Sequence, residues 1–80
     1  MEIRVLFFGM VRDITGMAES SFSLAPGDTV GTLNDLLASA YPGWPEKESL
    51  SFAVNEEYAT WNKELRASDV VAVIPPVSGG

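Results

Sequence analysis

The sequence predicts a small α+β domain in which one amphipathic helix packs on one face of a mixed β-sheet. Three observations predict this class. Strand-like segments occur near both ends of the chain, the clearest helical periodicity lies between them, and 80 residues make one domain. Hydrophobic residues make up 46% of the chain, as in ordinary globular proteins, which argues against disorder. We therefore expect residues 1–80 to form a single domain.

The first elements are a strand, a short helix and a second strand. Apolar residues occupy both parities of residues 3–8, so this strand is buried on both faces or has one face covered by a partner. Gly9 ends it, and residues 10–15 are predicted to form a short helix with Gly16 as a left-handed cap. Polar and apolar residues alternate over residues 19–24, which predicts a half-buried strand paired antiparallel with the first.

The main helix follows a turn predicted at Pro26-Gly27-Asp28. Asp28 or Thr29 can cap it, and Pro42-Gly43 ends it. Gly31, in the first turn, either permits close packing on a sheet or is simply tolerated. The expected apolar face comprises Val30, Leu33, Leu37, Ala40 and Tyr41, with Leu36 beside them, whereas Thr32, Asn34, Asp35 and Ser39 fall elsewhere.

The last part of the chain is predicted to complete the sheet. A third strand at residues 52–54 is followed, after a polar break, by a short fourth strand or an irregular edge at residues 58–61. Leu65 anchors a connector to the final strand, residues 70–74, which is apolar on both parities and therefore expected to be central. Pro75-Pro76 ends this strand because proline donates no N–H to a ladder.

Composition excludes several classes of function. The net charge of −6 opposes binding to nucleic acid or anionic membranes, and the five basic residues form no stripe. The chain has neither cysteine nor histidine, which excludes disulfides and thiolate catalysis and removes the commonest metal ligands. No segment is long and apolar enough to span a bilayer, and we expect a cytoplasmic protein. Trp44 and Trp61 are interpreted as core residues or interface anchors.

Candidate chemistry lies at the end of the chain, which is Gly79-Gly80. At neutral pH the α-carboxyl of Gly80 is a carboxylate, because its ordinary pKa is about 3.3–3.7. A carboxylate is a poor electrophile, so it must be activated, for example as an acyl-adenylate, before it can accept sulfur or an amine. The chain has no phosphate-binding loop, so a partner must hold the ATP. Two glycines, without side chains, suit a flexible tail that enters a narrow pocket.

Several segments together resemble the MoaD-type sulfur carrier, the small subunit of molybdopterin synthase. The resemblance covers the whole chain in length and order, and a departure at Ser68, where the family often has glycine, affects only a turn. The segments are Ile3-Arg4-Val5-Leu6-Phe7-Phe8-Gly9, Val11-Arg12-Asp13, Phe52-Ala53-Val54-Asn55 and Asp69-Val70-Val71-Ala72-Val73-Ile74-Pro75-Pro76-Val77-Ser78-Gly79-Gly80.

The resemblance implies a ubiquitin-like β-grasp fold and a subunit that is not catalytic alone. An adenylating enzyme of the MoeB type would activate Gly80 with ATP, and a sulfur donor would convert it to a thiocarboxylate. The tail would then donate sulfur to a pyranopterin precursor in a MoaE-type large subunit, within a heterotetramer. By match to the family, Gly79 and Gly80 carry the function. Residues expected to bind partners are Phe8, Arg12, Ile74, Pro75, Val77 and Ser78.

Three alternatives remain open from the sequence. The chain could be a ubiquitin-like modifier that forms isopeptide bonds through Gly80, although only Lys47 and Lys63 could accept it in self-conjugation. It could carry sulfur for another product, such as the thiazole of thiamine. It could also be an adaptor in which Gly79-Gly80 has no role.

Overall fold

The computed structural model describes residues 1–76. Its order of elements is the predicted one: strand, short helix, strand, long helix, then three strands, with a single 3-10 turn added before the third strand. The elements are β1 (Glu2–Phe7), α1 (Gly9–Thr15), β2 (Glu19–Ser23), α2 (Val30–Ala40), the 3-10 turn (Lys47–Ser49), β3 (Ser51–Val54), β4 (Glu57–Ala59) and β5 (Val70–Ile74).

The five strands form one mixed sheet in the order β2-β1-β5-β3-β4. β1 and β5 run parallel, and the other neighbouring strands are antiparallel. The predictions that β2 pairs antiparallel with β1 and that β5 is central are both confirmed. Because β1 and β5 are parallel neighbours, their carboxyl ends lie at the same edge of the sheet.

The core lies between α2 and one face of this sheet. On β1 the residues of one parity, Ile3, Val5 and Phe7, are buried, and on β5 the buried residues are Val71 and Val73. They form one cluster with the buried residues of α2 and with Leu65, the predicted anchor of the connector. No element among the described residues covers the opposite face of β1. Of the two alternatives that the sequence left open for this strand, burial on both faces and coverage by a partner, the second therefore remains.

Thr29, one of the two predicted caps, begins α2. Its hydroxyl accepts a hydrogen bond from the Thr32 amide, and the Thr32 hydroxyl accepts one from the Thr29 amide, both at 3.3 Å. This reciprocal arrangement satisfies two donors that a helix terminus otherwise leaves free. Gly31 permits a close approach, but to a loop and not to a sheet, since its amide donates to the Trp61 carbonyl at 2.8 Å.

The predicted face of α2 is wrong at three positions. Asn34, predicted to lie off the apolar face, is buried, whereas Ala40, predicted on that face, and Leu36, predicted beside it, are exposed. Trp44, which follows the helix, accounts for the burial of Asn34, since its indole N–H donates to the Asn34 side-chain oxygen at 2.9 Å. The buried face of α2 therefore includes one polar residue, Asn34, whose side chain is hydrogen-bonded.

β4 begins at Glu57, one residue before its predicted start, and ends at Ala59. Asn55 and Glu56, with φ of 50° and 73°, form the two-residue connection between β3 and β4. Positive φ at both positions is typical of the hairpin turn whose twist matches that of its strands. The polar break predicted at this point is therefore a tight turn.

Candidate functional site

The face of the sheet opposite α2 is described here as the open face. Across its middle, the register aligns one residue from each strand. In the order of the strands these are Glu19, Leu6, Ala72, Ala53 and Tyr58. The three central positions are apolar and two of them are alanine, whose side chains are short. The middle of the open face is therefore apolar and recessed relative to its margins.

An apolar groove occupies this region, with a volume of about 560 Å³. Phe8 borders it and is 48% exposed, although it is one of the largest apolar side chains in the protein. Its backbone is extended, so it continues the alternation of β1 and lies on the same face as Leu6. The lining residues are Leu6, Phe8, Ala53, Asn55, Glu56, Val70 and Ala72. An exposed apolar surface of this kind, with polar residues at its margin, indicates a protein-binding site.

Hydrogen bonds fix one end of the groove. The Asn55 side chain accepts from the Val70 amide at 3.0 Å and donates to the Asp69 carboxylate at 2.9 Å. The second oxygen of Asp69 accepts from the Arg66 amide at 2.8 Å. The turn between β3 and β4 is thus bound to the start of β5, which holds the margin of the groove in place.

The other end of the groove lies at the shared edge where β1 and β5 end. Phe8 follows β1 here, and Ile74 is the last residue of β5. Pro75 comes next and is half-buried against Gly9, whereas Pro76 is exposed. The last described residues therefore leave the sheet beside Phe8, next to the apolar groove.

The structure brings together three of the predicted site residues, Phe8, Ile74 and Pro75, at this one edge. Arg12 is exposed on α1 and, like Ile74 and Pro75, is not among the residues that line the groove. The remaining predicted residues, Val77, Ser78, Gly79 and Gly80, lie outside the described residues.

The sequence interpretation missed the centre of the groove. Leu6 shares the parity of Phe8 in the sequence, which places both residues on one face, but the two alanines give no signal because alanine occurs at both buried and exposed positions. Trp44 and Trp61, interpreted as core residues or interface anchors, both pack against the core, as the first alternative predicts. Trp61 also contacts the Phe52 ring edge-on, with 5.2 Å between ring centres.

Two further features concern residues 1–76 as a whole. No group of three or more acidic, histidine or cysteine side chains in this part of the chain could hold a metal ion. Neither of the described helices is long and apolar enough to cross a membrane.

Comparison with solved structures defines the class of protein. The fold matches ubiquitin-like β-grasp proteins, which confirms the predicted fold. A molybdopterin converting factor subunit 1 from Pyrococcus furiosus is 29% identical with a TM-score of 0.82, and the match covers 96% of this chain and 99% of that one. Small archaeal modifier protein 1 from Methanosarcina acetivorans is 26% identical with a TM-score of 0.79, covering 99% and 96%.

The chain belongs to the ThiS family, whose model matches residues 5–80. Among curated proteins, the molybdopterin synthase sulfur carrier subunit of Chlamydomonas reinhardtii is 42% identical over the full length of both chains. The protein with the same description in Escherichia coli is 35% identical, covering 98% of this chain and 99% of that one. The family resemblance found in the sequence is confirmed.

A fold neighbour from Helicobacter pylori was solved as a protein–protein complex of subunits 1 and 2 of the molybdopterin-converting factor. It is 22% identical with a TM-score of 0.69, and the match covers both chains completely. At this identity the likeness shows the shared fold, and the complex shows that a chain of this fold can bind a second, different subunit.

Proposed function

We propose that this chain is the sulfur carrier subunit of a molybdopterin synthase and that it carries sulfur as a thiocarboxylate on Gly80. The observation that supports this most directly is the 42% identity, over the full length of both chains, with a curated protein of that description. The structure adds an apolar groove on the open face, beside the edge from which the C-terminal segment continues.

The loading chemistry requires two steps, both in an adenylating partner of the MoeB type. First, a carboxylate oxygen of Gly80 attacks the α-phosphorus of ATP, forming an acyl-adenylate and releasing pyrophosphate. Second, a sulfur donor at the oxidation level of hydrosulfide attacks the acyl carbon, and AMP leaves with that oxygen. The products are the thiocarboxylate, AMP and a proton. Because the chain contains no cysteine, sulfur bound to the protein would be held at this carboxyl group.

The delivery step takes place in a MoaE-type large subunit, where the thiocarboxylate sulfur attacks a carbon of the pyranopterin precursor. The carbon–oxygen bond at that carbon breaks as the carbon–sulfur bond forms, and the oxygen leaves with the bonding electron pair and takes up a proton. Water then hydrolyses the acyl–sulfur bond, which leaves sulfur on the pterin and restores the Gly80 carboxylate. Docking through Phe8 and the apolar groove would place the C-terminal segment at the partner's active site. We expect the carrier to work in the cytoplasm, where ATP is available to its activating enzyme.

A second candidate function is protein modification through the same activated carboxyl. It is favoured by the likeness to small archaeal modifier protein 1 from Methanosarcina acetivorans. In that case a lysine amine, and not sulfur, would displace AMP. The two functions differ in their products, since one leaves a thiocarboxylate and the other an isopeptide bond.

The deciding experiment is the intact mass of the purified protein after incubation with the adenylating enzyme, ATP and a sulfur donor. The expected result is a mass gain equal to the replacement of one oxygen by sulfur, mapped to Gly80, and no gain when ATP is omitted. No gain with an adenylating enzyme that is active on another carrier would overturn the proposal. Isopeptide-linked products in its place would favour the modifier function.

A further inference from the structure

The side chain of Asn55 continues the pairing of β3 with β5 beyond the last residue of β3. The Asn55 amide donates to the Val70 carbonyl at 2.8 Å, as the backbone of a strand would. In a regular antiparallel pair the return bond would end on the Asn55 carbonyl, but here the Val70 amide donates to the Asn55 side-chain oxygen at 3.0 Å. With a φ of 50°, the Asn55 backbone is already part of the turn to β4. The side chain therefore completes a pair that the backbone leaves open.

Asp69 holds the other end of the Asn55 side chain. One of its carboxylate oxygens accepts from the Asn55 side-chain amide at 2.9 Å, and the other accepts from the Arg66 amide at 2.8 Å. The Asp69 carbonyl accepts from the Arg4 amide of β1 at 2.9 Å. The pair formed by Asn55 and Asp69 thus links the turn between β3 and β4 to β1, to β5 and to the connector before β5.

This pair determines where one margin of the apolar groove lies, since Asn55, Glu56 and Val70 all line the groove. The side-chain hydrogen bonds of the pair are exposed to water in the free protein. A partner seated in the groove would exclude that water, and a polar group left without a hydrogen bond costs more free energy there than in water. Breaking the pair should therefore weaken docking more than it weakens the fold.

We propose that Asn55 is a positioning residue for docking: held by Asp69, it fixes the margin of the groove in the form that the large subunit binds. This inference rests on the proposed function. A domain that loses one exposed hydrogen bond still has almost no unfolded molecules at room temperature, so lower stability alone leaves the affinity unchanged. A loss of affinity therefore reports on the groove and not on the fold.

The test exchanges the two side chains. Asn55→Asp sets two carboxylates against each other, and Asp69→Asn leaves one amide donor facing another, so each single variant breaks the pair. In the double variant, Asn55→Asp with Asp69→Asn, the carboxylate accepts from the Val70 amide and from the new side-chain amide. The oxygen of that new side chain accepts from the Arg66 amide. The double variant therefore restores every hydrogen bond of the pair, together with the net charge of the wild type.

The measured quantity is the affinity of the full-length carrier for the large subunit, by titration calorimetry, with urea unfolding of each carrier alongside. We expect each single variant to bind about tenfold more weakly, and the double variant to bind within about threefold of the wild type. The single variants change the net charge in opposite directions, so long-range attraction cannot weaken both. Asn34→Ala is the stability control: it removes a hydrogen bond on α2, across the sheet from the groove, and should lose stability but no affinity.

The inference is overturned if either single variant binds as tightly as the wild type, if the double variant binds as weakly as the single variants, or if Asn34→Ala loses affinity equally. Should Asn55→Asp fail to fold, the comparison of Asp69→Asn with the double variant decides the same question. Failure of the proposed function looks different, because the wild-type carrier would then neither gain sulfur in the presence of ATP nor bind the large subunit.

Discussion

Phe8 and Leu36 are exposed to nearly the same degree, 48% and 42%, but lie on opposite sides of the molecule. Phe8 borders the apolar groove on the open face, whereas Leu36 is on α2, which covers the other face of the sheet. Truncating each of the two residues therefore tests whether binding to the large subunit depends on the open face or on exposed apolar residues in general.

Phe8→Ala is expected to weaken binding to the large subunit by about 10-fold to 100-fold, because truncation of an aromatic anchor at an interface can cost about 2 kcal/mol or more. Its effect on the free energy of unfolding should be small, within about 1 kcal/mol, since half of the side chain is already exposed. The measurements are titration calorimetry with the large subunit and urea unfolding of the carrier alone.

Leu36→Ala is the matched control and should bind the large subunit with unchanged affinity. Equal losses in the two variants would show that exposed apolar area in general, and not the open face, determines binding. Unchanged binding by Phe8→Ala would contradict the docking site itself.

The sequence predicted the fold well where the signal is local. Periodicity located the strands and the main helix, and Gly16 caps α1 as expected, with its amide donating to the Arg12 carbonyl. The prediction failed at Asn34 because its partner, Trp44, lies beyond the turn that ends the helix. Helical periodicity shows which residues share a face, but it does not show which loop covers that face.

The candidate site was predicted only in part, for a related reason. Phe8, Ile74 and Pro75 were proposed from a family resemblance, and the structure brings them to one edge. The contact between Gly9 and Pro75 depends on the parallel pairing of β1 with β5, two strands at opposite ends of the chain. No local pattern encodes that pairing, so the sequence could identify Gly9 only as the end of a strand.

The backbone at Ser68 gives a physical reason for the glycine that the family often has at this position. Its φ is +70°, a conformation that costs a residue with a β-carbon roughly 1–2 kcal/mol. Ser68→Gly is expected to stabilise the protein by about 0.5–1 kcal/mol, because glycine removes this cost but loses more chain entropy on folding. Urea unfolding measures the change. Ser68→Ala is the control and should give no gain, and a Gly variant no more stable than the wild type would contradict the argument.

The hydrogen bond from Trp44 to Asn34 should contribute measurably to stability. Asn34→Ala leaves the indole N–H without this acceptor, and we expect a loss of about 1–2 kcal/mol in the free energy of unfolding. In a Trp44→Phe background, which has no indole donor, the same substitution should cost less by about 0.5–1.5 kcal/mol. The four proteins are compared by urea unfolding, and strictly additive losses would show that the two side chains do not interact.

Removal of Gly80, or addition of one alanine after it, is expected to abolish sulfur transfer without altering the fold. Deletion moves the carboxylate back by one residue, about 3.5 Å of chain, and addition moves it forward by the same length, so in neither variant does it reach the partner's reacting atoms correctly. Neither change touches the core, which is built from residues between Ile3 and Val73. The melting temperature should therefore stay within about 1 °C of the wild type, while the ATP-dependent mass gain and sulfur transfer are lost. Full transfer by the extended protein, with mass spectrometry showing that the added alanine is still present, would rule out Gly80 as the sulfur-carrying residue.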